Sequence, residues 1–325
     1  MRIAINGFGR IGRIVFKRAI EEGITVAAIN DRIDVKTLAH LLKYDSVYGK
    51  YKKSVEVGED YIKVAGKKIL VLSEDDPEKL PWEKLDIDVV IEATGIFRNK
   101  EGASKHLTAG AKRVFISAPS KDADVSIVLG VNNRDLKKSH KIISLASCTT
   151  NCIAPVIKVL NDNFEITKGY LTTVHAYTGD QRLLDSPHKN LRRARSAAIN
   201  LVPTTSGAAT AVTQVIPALK GKLDGMAIRA PVPCGSITDL VVTVKKTVTV
   251  EEINKAMRSA SRRIPDVLEY TEDEIVSSDI IENSHSSIFD SKLTKTNGTM
   301  IKVLAWYDNE YGYSCRMIDA LKLLK

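Results

Sequence analysis

Two cysteines, Cys148 and Cys152, lie four residues apart in the segment SLASCTTNCIAPVIKVL and follow a strand-like apolar run, KIISLAS. Their types and spacing are compatible with a metal site, a redox pair, core residues, or one nucleophile beside an unreactive thiol. Zinc is disfavoured because no second pair of Cys or His residues with ligand spacing lies nearby. Four cysteines in 325 residues are too few for a disulfide framework, which favours free thiols.

Cys148 stands where the helix pattern begins, and this position suits a nucleophile. The N–H groups and dipole at a helix N-terminus favour a thiolate, so we expect the pKa of Cys148 to lie below about 8.5. His175, 27 residues further along, has the chemistry of an acid–base partner. A lone histidine on a strand is more often structural, so both interpretations of His175 remain open here. For Cys152, one helical turn after Cys148, we favour a packing role over oxidation with Cys148.

A glycine-rich motif follows the first apolar run. The strand-like residues 2–6 lead into Gly7-Phe8-Gly9-Arg10-Ile11-Gly12, then a helix-patterned run and a second strand that ends at Asp31. Gly7 permits a tight turn, Gly9 lets a pyrophosphate approach the backbone, and Gly12 allows close packing of helix and strand. The helix start at Arg10 and Ile11 offers N–H groups to phosphates, and Asp31 lies where a carboxylate accepts ribose hydroxyls.

Short apolar runs alternate with helix-patterned or turn segments through the first half of the chain. Strands are predicted at 88–95, 113–119, 126–132 and 141–147, with a hairpin-like insertion at 61–72. This alternation predicts an α/β fold with a doubly wound, mostly parallel Rossmann-type sheet. Gly95 and Ser117 lie at carboxyl ends of these strands, where such sheets bind ligands, so both are candidate cofactor contacts.

The pattern changes after Cys148. Strands are predicted at 169–177, 238–250 and 301–311, and helices at 206–221, 251–263 and 314–324. These lengths predict an α+β catalytic domain with an antiparallel sheet and helices on one face. Residues 175–207 form a long irregular segment, and loops of that length are usually functional.

Length and composition set the remaining limits. A chain of 325 residues predicts two domains, and 44% hydrophobic with 27% charged residues is typical of a globular protein. The net charge of +9 is best explained by a solvated lysine-rich surface, although the RRAR run at 192–195 has a competing reading as a nucleic-acid patch. We find no targeting leader and no long apolar span, so we expect a cytoplasmic location and no membrane association.

Several longer segments resemble one family from residue 1 to the C-terminus: INGFGRIGR, AHLLKYDSVYGKY, ASCTTNC, TTVHAYTGDQ, PHKNLRRAR, VPTTSGAA and AWYDNEYGYS. The chain is similar to the phosphorylating glyceraldehyde-3-phosphate dehydrogenases. The resemblance implies a reversible, NAD-dependent oxidation of D-glyceraldehyde 3-phosphate to 1,3-bisphosphoglycerate in glycolysis or gluconeogenesis. A cysteine thiohemiacetal and an acyl thioester would be the intermediates, inorganic phosphate the co-substrate, and a homotetramer the assembly. It implies no metal.

The resemblance also assigns roles. Cys148 would be the nucleophile, its amide would hold the oxyanion, and His175 would be the acid–base residue. The substrate phosphate would be bound by Thr178, Arg195 and Arg229, the attacking phosphate by Ser147, Thr149, Ser206, Gly207 and a shared Arg229, and the cofactor also by Asn309. Residues 1–147, with 309–325 returning to them, would be the NAD-binding domain, and 148–308 the catalytic domain.

Four positions depart from the family pattern. Ser206 replaces a usual threonine and keeps the hydroxyl, and Cys234 stands where asparagine is common. Asp75 stands where an arginine often flanks the adenine, and Ser186 where strictly NAD-using members often have leucine. We still expect NAD because Asp31 would repel a 2′-phosphate, whereas Arg32 is expected to point away. Erythrose 4-phosphate is the rival substrate, and a basic nucleic-acid-binding protein without dehydrogenase activity is the rival class.

Overall fold

The structure is a computed structural model that describes residues 1–324. The chain divides into two compact units. The first comprises residues 1–127, 134–146 and the chain from Met317 onwards, and the second comprises 128–133 and 147–316.

The first unit is built on a nine-stranded sheet in the order β10-β11-β9-β8-β1-β2-β7-β6-β5. All neighbouring strands pair in parallel except for the antiparallel β5–β6 and β6–β7 pairs, so the predicted mostly parallel sheet and the predicted hairpin insertion are confirmed. The strands of this unit, including the separate β3–β4 pair, are β1 Arg2–Asn6, β2 Thr25–Asn30, β3 Tyr44–Asp45, β4 Gly49–Lys50, β5 Val55–Val57, β6 Tyr61–Val64, β7 Lys67–Leu72, β8 Val89–Glu92, β9 Arg113–Ile116, β10 Val125–Ser126 and β11 Ile142–Ser144.

Three helices belong to this sheet: α1 Arg10–Glu21, α2 Val35–Lys43 and α3 Lys100–Thr108. Side chains fix two of their starts, because Asp34 accepts a hydrogen bond from the Thr37 amide and Asn99 from the Gly102 amide. Helix α1 buries Ile14, Val15 and Phe16 among its residues.

The strand predicted at 126–132 is wrong beyond Ser126. The Asn132 side chain accepts a hydrogen bond from the Val128 amide, and Gly130 has a φ of +78°. The Val128 amide is therefore hydrogen-bonded within a local turn and does not pair with a neighbouring strand.

The second unit contains a seven-stranded sheet in the order β13-β14-β12-β15-β18-β17-β16. It is mixed, because β12–β14 and β16–β17 are parallel while the other pairs are antiparallel. Four of the six pairs are antiparallel, so the predicted α+β domain with an antiparallel sheet is confirmed, and the long connection between β12 and β14 allows one of the two parallel pairs. The strands are β12 Ile166–Ala176, β13 Val202–Thr205, β14 Leu223–Ala230, β15 Ser236–Val244, β16 Leu268–Thr271, β17 Ser287–Asn297 and β18 Met300–Tyr307.

The remaining helices are α4 Cys148–Phe164, α5 Ala208–Val215, α6 Val250–Arg263 and α7 Tyr311–Lys322. The helix predicted at 206–221 is shorter because Pro217 begins a separate 3₁₀ turn. The strand predicted to reach residue 250 ends at Val244, since Thr249 and Glu252 form a capping box that starts α6. Among residues 1–324, no helix combines the length and the apolar character needed to cross a membrane.

Candidate active site

Cys148 is the first residue of α4, as the sequence predicts. Ser147 caps this helix, because its Oγ accepts a hydrogen bond of 3.1 Å from the Thr150 amide. The cysteine is half-buried, and its Sγ lies 3.4 Å from Nε2 of His175. The thiol therefore stands at a helix N-terminus within proton-transfer reach of an imidazole.

His175 is buried near the end of β12, and the strand register places it opposite Arg229 of β14. Its Nδ1 lies 2.7 Å from the carbonyl oxygen of Ala176 and 2.6 Å from Nη1 of Arg229. The carbonyl only accepts a hydrogen bond and the guanidinium only donates one, so each neighbour suits a different tautomer of the ring. With Nδ1–H bonded to Ala176, the Nε2 lone pair faces the Cys148 sulfur.

The electrostatics of the pair correct one expectation from the sequence. Burial raises the pKa of Cys148, although the Arg229 charge and the Thr149 amide act in the opposite direction. Burial, reinforced by Arg229, lowers the pKa of His175 to about 3. The low pKa expected for Cys148 from its helix position is therefore wrong, because loss of hydration outweighs the helix end.

Tyr307 is part of this site and was not found from the sequence. Its hydroxyl lies 2.8 Å from Oγ1 of Thr149 and 2.8 Å from Oγ1 of Thr173. Its ring meets the His175 ring edge-on, with centroids 5.9 Å apart. The tyrosine thus ties the first turn of α4 to β12 and packs the histidine. Tyr307 is 158 residues from Thr149, and no local pattern signals the contact.

Arg229 has a second feature that points to an anion. Its Nε is buried and has no hydrogen-bond partner, whereas Nη1 reaches His175 and the Ala176 carbonyl, the latter at 3.2 Å. An unpartnered guanidinium N–H is costly unless a ligand accepts its hydrogen bond. A phosphate oxygen is a suitable acceptor for that group.

The other predicted substrate residues make local contacts. The amide of Thr178 donates to the Gln181 side chain at 3.3 Å, and the Ser206 hydroxyl accepts from the Ala208 amide at 3.2 Å. Gly207 is the exposed residue that caps α5. Arg195 is largely exposed and its Nε pairs with Asp185 at 2.6 Å. The described contacts bring Cys148, His175 and Arg229 together but do not join these four residues to them.

The other three cysteines are buried. Cys152 packs with its Sγ 3.7 Å from the Ala305 carbonyl, and burial raises its pKa to about 12. Cys234 lies 3.2 Å from a carboxylate oxygen of Asp308. These environments favour packing roles, which is the interpretation that the sequence analysis gives for Cys152.

The glycine-rich turn of the first unit has the geometry of a dinucleotide cradle. Gly7 has a φ of +93°, and a Cβ there would lie 2.6 Å from the Thr94 amide nitrogen. A Cβ on Gly12 would clash with the Gly7 carbonyl, so helix and turn pack closely. A Cβ on Gly9 would meet no neighbour, which leaves the backbone open to a ligand. Asp31 braces the turn, since its Oδ2 accepts a 2.7 Å hydrogen bond from the Phe8 amide.

A cavity of about 390 Å³ opens beside this turn. Of the predicted cofactor residues, Gly7, Gly9 and Asp31 line it. Arg32 lines it as well, so the expectation that this side chain points away is wrong. The remaining lining residues, none of them predicted as a cofactor contact, are Asn6, Asn30, Ile33, Glu74, Asp75, Ala93, Thr94, Ile96 and Phe97.

The remaining predicted cofactor residues are placed as follows. Arg10 pairs with Asp45 at 2.7 Å, and Ile11 is half-buried in the first turn of α1. Gly95 has a φ of +73° just beyond β8, and Ser117 directly follows β9. Asn309 is buried in the second unit, where its Oδ1 accepts a 2.9 Å hydrogen bond from the Ser236 hydroxyl.

Buried polar groups support the cavity from behind. The Glu92 carboxylate accepts hydrogen bonds from the Asn6 side chain at 2.6 Å and from the Thr94 amide at 2.8 Å. His106 lies 3.1 Å from the same carboxylate and accepts a hydrogen bond from Trp82 Nε1 at 3.0 Å. The network fixes two cavity residues, Asn6 and Thr94, on a rigid base.

Comparisons with known proteins agree with this arrangement. The family model for the glyceraldehyde 3-phosphate dehydrogenase NAD binding domain matches residues 1–100, and the model for the C-terminal domain of the same enzyme matches residues 147–309. Three relatives are each named glyceraldehyde-3-phosphate dehydrogenase. The protein of Thermotoga maritima is 57% identical over 99% of this chain and 98% of its own length. That of Borreliella burgdorferi is 56% identical over 100% of both chains, and that of Streptomyces coelicolor is 55% identical over 98% of this chain and 97% of its own. The chain therefore belongs to the glyceraldehyde-3-phosphate dehydrogenase family of NAD-dependent oxidoreductases.

Proposed function

We propose that this protein oxidises D-glyceraldehyde 3-phosphate to 1,3-bisphosphoglycerate, reversibly, with Cys148 as the nucleophile and His175 as the acid–base residue. The observation that carries the assignment is the 3.4 Å approach of Cys148 Sγ to His175 Nε2, with Arg229 beside the opposite ring nitrogen. NAD, when bound, accepts the hydride. The direct test is NADH formation from this aldehyde with and without inorganic phosphate.

The first chemical step needs a lone pair on His175 Nε2. In the tautomer whose Nδ1–H donates to Ala176, Nε2 takes the thiol proton while the sulfur attacks the aldehyde carbon, which gives a thiohemiacetal. The Cys148 amide, at the start of α4, is placed to stabilise the developing oxyanion. The thiohemiacetal oxyanion becomes an acyl thioester when its hydride leaves, and attack by phosphate on that thioester breaks the C–S bond, with the proton held on Nε2 passing to the departing sulfur.

Arg229 controls which tautomer is favoured. While its Nη1 contacts Nδ1, it favours the ring that carries hydrogen on Nε2, which cannot accept the thiol proton. A phosphate oxygen that engages the guanidinium would compete for this contact and favour the productive tautomer. The ¹⁵N shifts of His175 with and without phosphate test this step, and identical shifts in both samples would contradict it.

The phosphate-binding roles rest on the family assignment and on the chemistry of the side chains. Arg229, with its unpartnered Nε, would serve both phosphates. Thr178 and Arg195 would bind the substrate phosphate, which requires Arg195 to exchange its exposed partner Asp185 for the ligand. The attacking phosphate would be held by Ser147, Thr149, Ser206 and Gly207.

We assign cofactor binding to residues 1–147 with 309–325, and catalysis to 148–308. The cofactor contacts would be Gly7, Gly9, Arg10, Ile11, Gly12, Asp31, Gly95, Ser117 and Asn309. Titration of NAD into single variants of these residues, with the substrate sites intact, tests the assignment.

A homotetramer is the proposed assembly. The segment from 183 to 201 exposes several large apolar side chains, and such patches mark interaction surfaces. They are Leu183, Leu184, Leu191, Ile199 and Leu201. Sedimentation velocity tests the proposal, and a single monomeric species at micromolar concentration would contradict it.

Two rival functions have different tests. Erythrose 4-phosphate is also a phosphorylated aldehyde, so specificity rests on comparing kcat/KM for the two substrates. The nucleic-acid reading of residues 192–195 is weakened because Arg193 pairs with Asp180 and Arg195 with Asp185. Salt-sensitive RNA binding without dehydrogenase activity would favour it. A cytoplasmic location stays a prediction made from the sequence.

A further inference from the structure

The cofactor cavity of the first unit contains an ion pair that the family pattern does not provide. Arg32 Nε lies 2.5 Å from Asp75 Oδ1, and both residues line the cavity together with Asp31. The two partners are 43 residues apart, Arg32 just after β2 and Asp75 beyond β7. The pair therefore joins two loops at the carboxyl ends of neighbouring strands, where dinucleotides bind in such sheets.

The pair is a poor stabiliser of the fold. Each side chain is 69% exposed, and ion pairs this exposed contribute little to the free energy of unfolding. Its effect on charge within the cavity is larger. Among the described lining residues, Arg32 is the sole cation, whereas Asp31, Glu74 and Asp75 are acids. Asp75 neutralises the one positively charged side chain of that lining.

NAD and NADP differ by a 2′-phosphate on the adenosine ribose, and a protein that accepts this phosphate needs a cation to pair with it. Arg32 lies beside Asp31, the acid expected to meet the ribose, so it is the nearest candidate in the sequence and in the cavity lining. Binding a 2′-phosphate would require Arg32 to leave Asp75, and the freed carboxylate would then repel the phosphate.

We propose that Asp75 is a specificity-determining residue that excludes NADP by holding Arg32 in an ion pair. Asp31 repels the 2′-phosphate directly, whereas Asp75 removes its counter-ion. The proposal rests on the role of this cavity as the adenosine end of the cofactor site. It adds a residue at which the family pattern predicts no such function.

The experiment is calorimetry with ADP-ribose and 2′-phospho-ADP-ribose, because these fragments report the adenosine end without turnover. Asp75→Asn should tighten binding of the phosphorylated fragment by about fivefold, equivalent to about 1 kcal/mol, and change ADP-ribose affinity by less than about twofold. An unchanged ratio of the two affinities would overturn the role of Asp75. Failure of ADP-ribose to bind the wild-type protein would instead overturn the cofactor role of the cavity.

Two further variants separate the mechanism from a general charge effect. Asp60 forms an exposed ion pair with Lys68, and neither residue lines the cavity. Asp60→Asn removes the same charge as Asp75→Asn, so it should leave the ratio of the two fragment affinities unchanged. In an Arg32→Gln background, Asp75→Asn should tighten binding of the phosphorylated fragment by less than half as much as it does in the wild-type protein. No guanidinium then remains to be released. An equal gain in that background, or an equal gain from Asp60→Asn, would refute the ion-pair mechanism.

Discussion

Cys148 and Cys152 should differ by orders of magnitude in reactivity, although one helical turn separates them. Cys152 is fully buried, and its pKa rises from the ordinary value of 9.0 to about 12. At neutral pH, a thiol with a pKa of about 12 is ionised about a thousandfold less than one with a pKa of 9.0. Burial of Cys152 lowers its access to the reagent further. Burial also raises the pKa of Cys148, but that thiol is partly exposed and has His175 within 3.4 Å to accept its proton.

The assay combines alkylation with kinetics. Iodoacetamide at pH 7, read out by peptide mass spectrometry, should label Cys148 while Cys152 stays unmodified. Cys148→Ser should reduce kcat by about a thousandfold or more, since a hydroxyl is a far weaker nucleophile, whereas Cys152→Ser should keep most of the activity. His175→Asn should slow labelling of Cys148 and not of Cys152. Equal labelling of the two thiols, or equal losses of activity in two folded variants, would refute this reasoning.

Three further predictions concern His175 and the charged residues. Burial and Arg229 lower the pKa of His175 to about 3, so between about pH 6.5 and 3 the unfolded chain binds a proton that the folded chain does not. The free energy of unfolding should therefore decrease as pH falls through this range, and urea titrations should show a shallower decrease for His175→Asn. Equal pH dependence in the two proteins would contradict the lowered pKa of His175. Arg195→Ala should lower kcat/KM for the phosphorylated aldehyde by about tenfold or more, corresponding to about 1.5–3 kcal/mol, with NAD affinity unchanged in a fluorescence titration. An unaltered kcat/KM would show that Arg195 does not bind the substrate. The wild-type protein should prefer NAD over NADP in kcat/KM by about tenfold or more, and Asp31→Ala should narrow this ratio mainly by weakening NAD; parity in the wild-type protein would show that Asp31 does not control the pocket.

Features that depend on neighbouring residues could be predicted from the sequence. The turn from Gly7 to Gly12 follows from steric requirements within one βαβ unit, and the start of α4 from the onset of the helix pattern at Cys148. The errors occurred where a local element competed with the pattern. Pro217 ends a helix that the apolar spacing continues, and the Asn132 side chain turns the chain where the apolar run 126–132 predicts a strand.

Contacts between distant segments could not be predicted in this way. Tyr307 reaches Thr149 only because α4 packs against the sheet that contains β18. Arg32 meets Asp75 only because β2 and β7 are neighbouring strands. Strands β13, β14, β16 and β17 were not predicted. In β17, polar and charged residues such as Asp290, Ser291 and Lys292 interrupt the apolar pattern, and pairing with β18 defines the strand.

The pKa of Cys148 shows why even a correctly placed residue can be given the wrong electrostatics. The sequence reveals the helix N-terminus, which lowers the pKa of the thiol, but not the Arg229 charge that acts in the same direction in the folded chain. It does not reveal how much water the folded chain removes, and here burial is the larger effect. The same burial lowers the pKa of His175 and so favours its neutral imidazole. In the proposed function, Arg229, in contact with the histidine and with one unpartnered N–H, is the group through which a bound phosphate would act on this pair.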